Sequence, residues 1–314
     1  MSLLFAVLAD GAIPKRELCM ETDKAVAEPK VQVTSTNKLA GRALIGWLAP
    51  EDGALWLAGR QMGHPNREEF IRRTVKARTA VEGRSSGVDQ TDLLQAPPSE
   101  LAAHVAQLKQ NGASAALFKD GFEVAVVDLH KVCALQPVVY TGNAMNRMLG
   151  VDPNSLVSIA SVTLPIPGPQ NMPVQFDSTK NAWIFSSPNP NLRILGHFSL
   201  EVQPGVPGFG FVVSIPQSYL QVASLRGRYF LRDGYHRAFG LLAIGVRWAP
   251  CMVREFARIE DLTLPPGLLP QDAYLGDKPP LLTDYANDEV AAPVEVGTTH
   301  KMIVVPGLEF SALA

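Results

Sequence analysis

The chain has 314 residues, 46% hydrophobic and 18% charged, a balance that excludes a wholly disordered polypeptide. A formal net charge of −2 removes the overall positive field on which sequence-independent nucleic-acid binding depends, so nucleic acid is not a favoured partner. Three scattered cysteines, Cys19, Cys133 and Cys251, suit neither a disulfide framework nor a metal knuckle and point to a reducing, cytoplasmic setting.

The opening Met1-Ser2-Leu3-Leu4-Phe5-Ala6-Val7-Leu8-Ala9-Asp10 carries no basic residue before its apolar run, and Asp10 ends the run well short of a membrane span. It reads as a strand or an ordered terminus, with a signal-like segment as the alternative, and no membrane partner is expected. Residues 40–59 are apolar around Trp47 and Trp56 and read as core elements. Leu-Ala-Gly-Arg occurs at 39–42 and again at 57–60, but the flanking residues do not match, so a repeat architecture is not supported.

Residues 66–81 have helical spacing, with Asn66 and Glu69 placed as a capping box and Phe70, Ile71, Val75, Ala77 and Val81 as the apolar face. Arg72, Arg73 and Lys76 make the opposite face basic, which reads as a solvated surface or, as an alternative, a phosphate-backbone contact. Residues 84–98 read as a loop, and Ser99 opens a second helix with Leu101, Val105 and Leu108 inward and Gly112 at its end. Residues 114–119 and 122–129, joined by Asp120-Gly121, predict a β-hairpin with a type I′ turn. His104 and His130 beside them read as structural histidines.

The Pro- and Asn-rich stretch 165–190, with a short strand at 181–186 around Trp183, predicts a domain boundary. Residues 193–202 and 208–215 are two apolar runs, and Gly205, Gly208 and Gly210 lack the spacing of a dinucleotide loop. Residues 228–231 predict a strand broken by Arg232-Asp233-Gly234, then a helix with Ala238, Leu241 and Leu242 on one face, stopped by Gly245, and a further strand at 248–253. Beyond Phe256 the chain becomes rich in Pro, Asp and Leu and reads as an extended arm, a possible seat for a protein partner.

Chemistry concentrates in the strand-turn-helix. The first amides of a helix have no internal partner and stabilise an anion, Gly234 lets the backbone come close, and Asp233 is placed to accept from amides two or three residues on. His236 and Arg237 then offer an imidazole and a forked guanidinium to phosphate oxygens, while Arg226, Arg228 and Arg232 add positive charge upstream. Alternatives from the same residues are a plain structural turn, or a metal shared by Asp233, His236 and a distant His197.

The run Tyr229-Phe230-Leu231-Arg232-Asp233-Gly234-Tyr235-His236-Arg237-Ala238, with Gly245, Pro250 and Val253, resembles the DGxHR segment of the ParB/sulfiredoxin-like superfamily over residues 226–254. The resemblance implies an α+β fold, a small mixed sheet with helices in the C-terminal half preceded by an α/β region. It divides the chain into 1–165, a ParB/sulfiredoxin-like domain at 166–260 and an arm at 261–314. It implies a nucleotide or phosphate held by Asp233, Gly234, Tyr235, His236 and Arg237 with Arg228 and Arg232 nearby. ATP or CTP with magnesium would be the ligand, and NTP hydrolysis or phosphoryl transfer the activity. Tyr235 occupies the position of sulfiredoxin's reactive cysteine, so that thiol chemistry is not expected, and no ENxQR box follows. Glu201 and Glu255 are the candidate acids. A non-enzymatic regulatory or assembly protein of the same fold is the alternative.

Overall fold

In a computed structural model the chain is described over residues 38–308, apart from 167, 169–171, 188, 190, 299 and 300. The expectations for Met1–Asp10 and Cys19 lie outside these residues. In chain order the elements are β1 (Lys38–Ala43), α1 (Pro50–Leu57), α2 (Arg67–Glu82), β2 (Leu94–Gln95), α3 (Ala102–Gln110), α4 (Gly112–Lys119), β3 (Glu123–Asp128), β4 (Val138–Tyr140), α5 (Thr141–Arg147) and α6 (Leu156–Thr163). They continue with β5 (Val174–Asp177), β6 (Ala182–Ser187), β7 (Arg193–Gln203), β8 (Val206–Ser214), β9 (Gln221–Leu225), β10 (Arg228–Asp233), α7 (Tyr235–Ala243), β11 (Trp248–Phe256), α8 (Gln271–Leu275), β12 (Ala292–Gly297) and β13 (Lys301–Pro306). The protein is α+β, and its described residues form four small sheets.

The main sheet has the order β10-β9-β11-β3-β2 and is mixed: β9 and β11 run parallel, and the other pairs antiparallel. β9 sits inside it, and all five of its residues are buried. A two-residue turn joins β9 to β10, with Arg226 at φ 52° and Gly227 at φ 78°, the left-handed pair that a type I′ hairpin needs. Beyond β10, residues 132–135 run alongside the sheet: Cys133 N–H donates to Tyr229 O at 3.0 Å and Cys133 O accepts from Leu231 N–H at 2.8 Å.

Strands from both sides of residue 165 share this sheet, so a boundary there does not divide two cores. The segment after Phe256 supplies core side chains and sheet strands. Leu282, Tyr285, Val290 and Ala291 are buried, and β12 pairs antiparallel with β1 in a second sheet, β12-β1-β4. β13 completes a third, with β6 and β5.

The hairpin expected around Asp120-Gly121 is instead helix, turn and strand. Residues 115–117 are Ala-Ala-Leu, strong helix formers, and they extend α4 to Lys119. Gly121, at φ 85°, then closes a Schellman cap, with Phe122 N–H donating to Leu117 O at 3.0 Å and Gly121 N–H to Phe118 O at 3.1 Å. The positive φ signal was sound, but it marks a helix end and not a hairpin turn. In α2 the Asn66 side chain makes no cap, and the buried residues are Thr74, Ala77 and Val81, so the helix is rotated relative to the predicted face and Val75 is exposed. His104 is a satisfied structural histidine, its Nε2 2.8 Å from Leu164 O.

Candidate functional site

β10 delivers the turn. Its register slips between Leu231 and Asp233, leaving Arg232 as a bulged residue, and the chain then enters α7 through Gly234 at φ 94°. A β-carbon at Gly234 would stand 3.0 Å from Leu220 Cα and 3.2 Å from Tyr219 O, so both the backbone angle and the close approach of the chain before β9 demand glycine. Gly234 O accepts from the N–H groups of Arg237 and Ala238, each at 2.9 Å, which starts the helix. Asp233 does not cap the helix amides in the expected way. It lies one residue before the cap, and its Oδ1 accepts from Gly234 N–H at 2.7 Å. Burial raises its pKa, against the opposing pull of that N–H and of Arg237, Arg232 and Arg147.

Tyr235 is a core residue. Its hydroxyl donates to Leu231 O and accepts from Leu135 N–H at 2.8 Å, fastening α7 to β10 and to the segment 132–135 beside it. Tyr235, Ala238 and Leu241 bury one stripe of α7 at helical spacing, and the Schellman cap at Gly245 ends the helix as the sequence indicates. Gly240 faces α5: a β-carbon there would stand 2.8 Å from Ala144 O. That contact brings the end of α5, and with it Arg147, up to the first turn of α7.

Arg237 is 6% exposed; its Nη1 donates to Ser218 Oγ at 2.7 Å, and its buried Nε has no hydrogen-bond partner. Burial first, then Arg147, lowers its pKa to about 10, which leaves it charged at neutral pH. With Arg147 it lines a cavity of about 310 Å³ whose other walls include Ser218, Gln217, Asn189 and Asn191. Among the described lining residues none is acidic.

His236 stacks on Tyr140, ring centres 5.6 Å apart and planes 13° from parallel, and its buried Nε2 has no partner. Burial, Arg147 and Arg237 together lower its pKa to about 4, so at neutral pH it offers a neutral imidazole and not a cation.

The other predicted residues lie apart from the cavity. Arg228 Nη1 donates to Tyr274 O at 3.0 Å and Gly276 O at 2.7 Å, and Arg232 donates to Leu262 O, Gln221 Oε1 and Thr263 Oγ1. Both pin the C-terminal segment to the sheet. Glu201 accepts from Gly205 N–H at 2.8 Å in the β7–β8 hairpin, and Glu255 is an exposed residue of β11. His197 lies on β7, and among the described residues no three His, Cys, Asp or Glu side chains come together to hold a metal.

Arg147, Ser218, Asn189 and Asn191 are the residues that sequence reasoning missed. For Ser218 a signal existed: Arg226-Gly227 predicts the β9–β10 hairpin, whose pairing of Gln221 with Asp233 places the residues before β9 beside those after β10. Arg147 carries none, since it reaches the site only through helix packing. Comparison with protein-family models, with curated proteins and with solved structures returns no match.

Proposed function

We propose that the protein binds a phosphate-bearing ligand in the cavity between Arg147, Arg237 and Ser218, with β10, the Gly234 turn, α7 and β11 acting as a ParB/sulfiredoxin-like unit. The single observation that carries this reading is Arg237, a buried cation whose Nε has no hydrogen-bond partner and which lines, with a second guanidinium, a cavity without a carboxylate among its described lining residues. Burying a charge without a full set of partners costs several kcal/mol, and a dianionic phosphate recovers that cost through paired, charge-assisted hydrogen bonds. The carboxamides of Asn189, Asn191 and Gln217 supply neutral donors around it. The cavity stands at the lower end of small-molecule sites in volume, which suits a phosphoryl group with a small attached body or one end of a nucleotide. ATP and CTP with magnesium are the triphosphate candidates.

A second reading, a non-enzymatic regulatory or assembly protein built on the same unit, draws on the exposed apolar side chains of β7 and β8.

Thermal shift with inorganic phosphate, ADP, ATP and CTP, with and without magnesium, tests the first reading. A ligand at 100 times its dissociation constant stabilises the folded state by about 2.7 kcal/mol. The expected result is a shift in the wild type that Arg147→Ala and Arg237→Met abolish and Arg228→Ala keeps. No shift with any of the four ligands would leave the regulatory reading in its place.

A further inference from the structure

Three stretches distant from one another in the chain wall the cavity that Arg147 and Arg237 share: Met172 before β5, Asn189 and Asn191 between β6 and β7, and Ile215 to Ser218 between β8 and β9. Their charge is one-sided. From Pro153 to Arg232 the sequence holds Asp177 and Glu201 as its acidic residues, and both are engaged elsewhere, Asp177 accepting from Thr179 and from Lys180 N–H, and Glu201 from Gly205 N–H. Asp233, whose charge reaches both guanidiniums, lies outside the lining and accepts from Gly234 N–H. Arg147 is exposed and has no ion-pair partner among the described residues.

That charge pattern selects among phosphate compounds. Magnesium is held through one or two carboxylates together with the phosphates of a substrate; here it would meet two guanidinium charges and no carboxylate among the described lining residues. A phosphomonoester dianion needs no metal, because Arg147 and Arg237 already supply two opposite charges on forked donors. The rest of the lining fits what the phosphate is attached to. Among the described lining residues there is no aromatic ring on which a base could stack, whereas Asn189, Asn191 and Gln217 each carry donors and an acceptor, which suits a hydroxyl, itself donor and acceptor. Asn189 Oδ1 is taken by Asn191 N–H at 3.0 Å, but the carboxamides of Asn191 and Gln217 have no partner among the described residues. Met172, Ile215 and Pro216 add an apolar wall for the C–H face of a sugar ring.

We propose that the ligand of this cavity is a phosphorylated sugar held without a metal ion, its phosphate between Arg147 and Arg237 and its hydroxyls on Asn191 and Gln217. The proposal rests on the phosphate reading above and narrows it from nucleotides to sugar phosphates.

Calorimetric titration of the full chain with inorganic phosphate, ribose 5-phosphate, glucose 6-phosphate, AMP and ATP, each in EDTA and in magnesium, tests it. The expected result is that one of the two sugar phosphates binds about tenfold more tightly than inorganic phosphate, AMP or ATP, with the same dissociation constant in both buffers. Asn191→Ala and Gln217→Ala should each weaken binding of that sugar phosphate and leave binding of inorganic phosphate unchanged, which also shows that these variants are folded. Arg147→Ala, at an exposed position, should remove binding of both. The proposal is overturned, with the phosphate reading left standing, if neither sugar phosphate binds more tightly than inorganic phosphate, if AMP or ATP binds more tightly than both, if binding requires magnesium, or if the Asn191 and Gln217 variants bind the sugar phosphate as the wild type does. Binding of none of the five would remove the phosphate reading and the proposal with it.

Discussion

Replacing Arg237 by methionine separates a residue held for ligand from one held for the fold. The residue is 6% exposed, and its pKa falls from the ordinary guanidinium value to about 10 because burial penalises the charged form. At neutral pH that depression corresponds to about 3 kcal/mol working against the folded state. Methionine removes the penalty and fills most of the same space, but it forfeits the bond to Ser218, about 1.5–3 kcal/mol for a hydrogen bond to a charged group, and the pull that Arg237 exerts on the buried Asp233 carboxyl. Gain and losses oppose each other. Without phosphate, the variant is expected to be as stable as the wild type or more stable by up to about 1.5 kcal/mol. Urea unfolding with an unchanged m-value measures this. In the same variant the stabilisation by phosphate is expected to disappear, the usual trade of stability for function at a binding site. A loss of more than about 2 kcal/mol in the ligand-free variant would refute the reasoning, since truncating a satisfied buried ion pair is what costs that much.

Other expectations follow from the same turn. Gly234→Ala introduces a side chain at φ 94° and sets it against the Leu220 and Tyr219 backbone, which cannot yield; chemical denaturation should show a loss of about 2–4 kcal/mol from the two effects together. His236 has a folded pKa of about 4, below its ordinary 6.5, so it is neutral in both states above pH 6.5 and contributes no pH dependence there. As pH falls from 6.5 through 4 the unfolded chain takes up the proton first, and the protein loses up to about 3 kcal/mol. His236→Phe keeps the stack on Tyr140 and should flatten that part of the curve, as read by urea midpoints between pH 7 and 4. An identical slope in the variant would mean that other groups set the acid limb.

Local chemistry carried some of this into the sequence. Arg226-Gly227, the Gly234 turn, the helix stop at Gly245 and the apolar stripe Ala238–Leu241 are each dictated by backbone angles or by a 3.6-residue period, and each is legible without coordinates. Where a local signal had two readings, the fold chose between them. Asp120-Gly121 supplies a positive φ to a hairpin or to a helix end, and the helix-forming Ala-Ala-Leu before it settled the matter. The same tetrapeptide, Leu-Ala-Gly-Arg, lies in β1 at 39–42 and at the end of α1 at 57–60, because pairing with β12 and packing on α2 outweigh tenths of a kcal/mol of propensity.

By itself, then, the sequence determined that a glycine turn would lead a strand into a helix bearing His236 and Arg237. Only the tertiary structure decided which charges remain for a ligand. It spent Arg228 and Arg232 on carbonyls of the C-terminal segment, buried His236 into neutrality, and brought Arg147 from α5 into the cavity that Arg237 lines. Those outcomes depend on contacts between residues far apart in the chain, where burial and neighbouring charge, and not residue type, fix what a side chain can do.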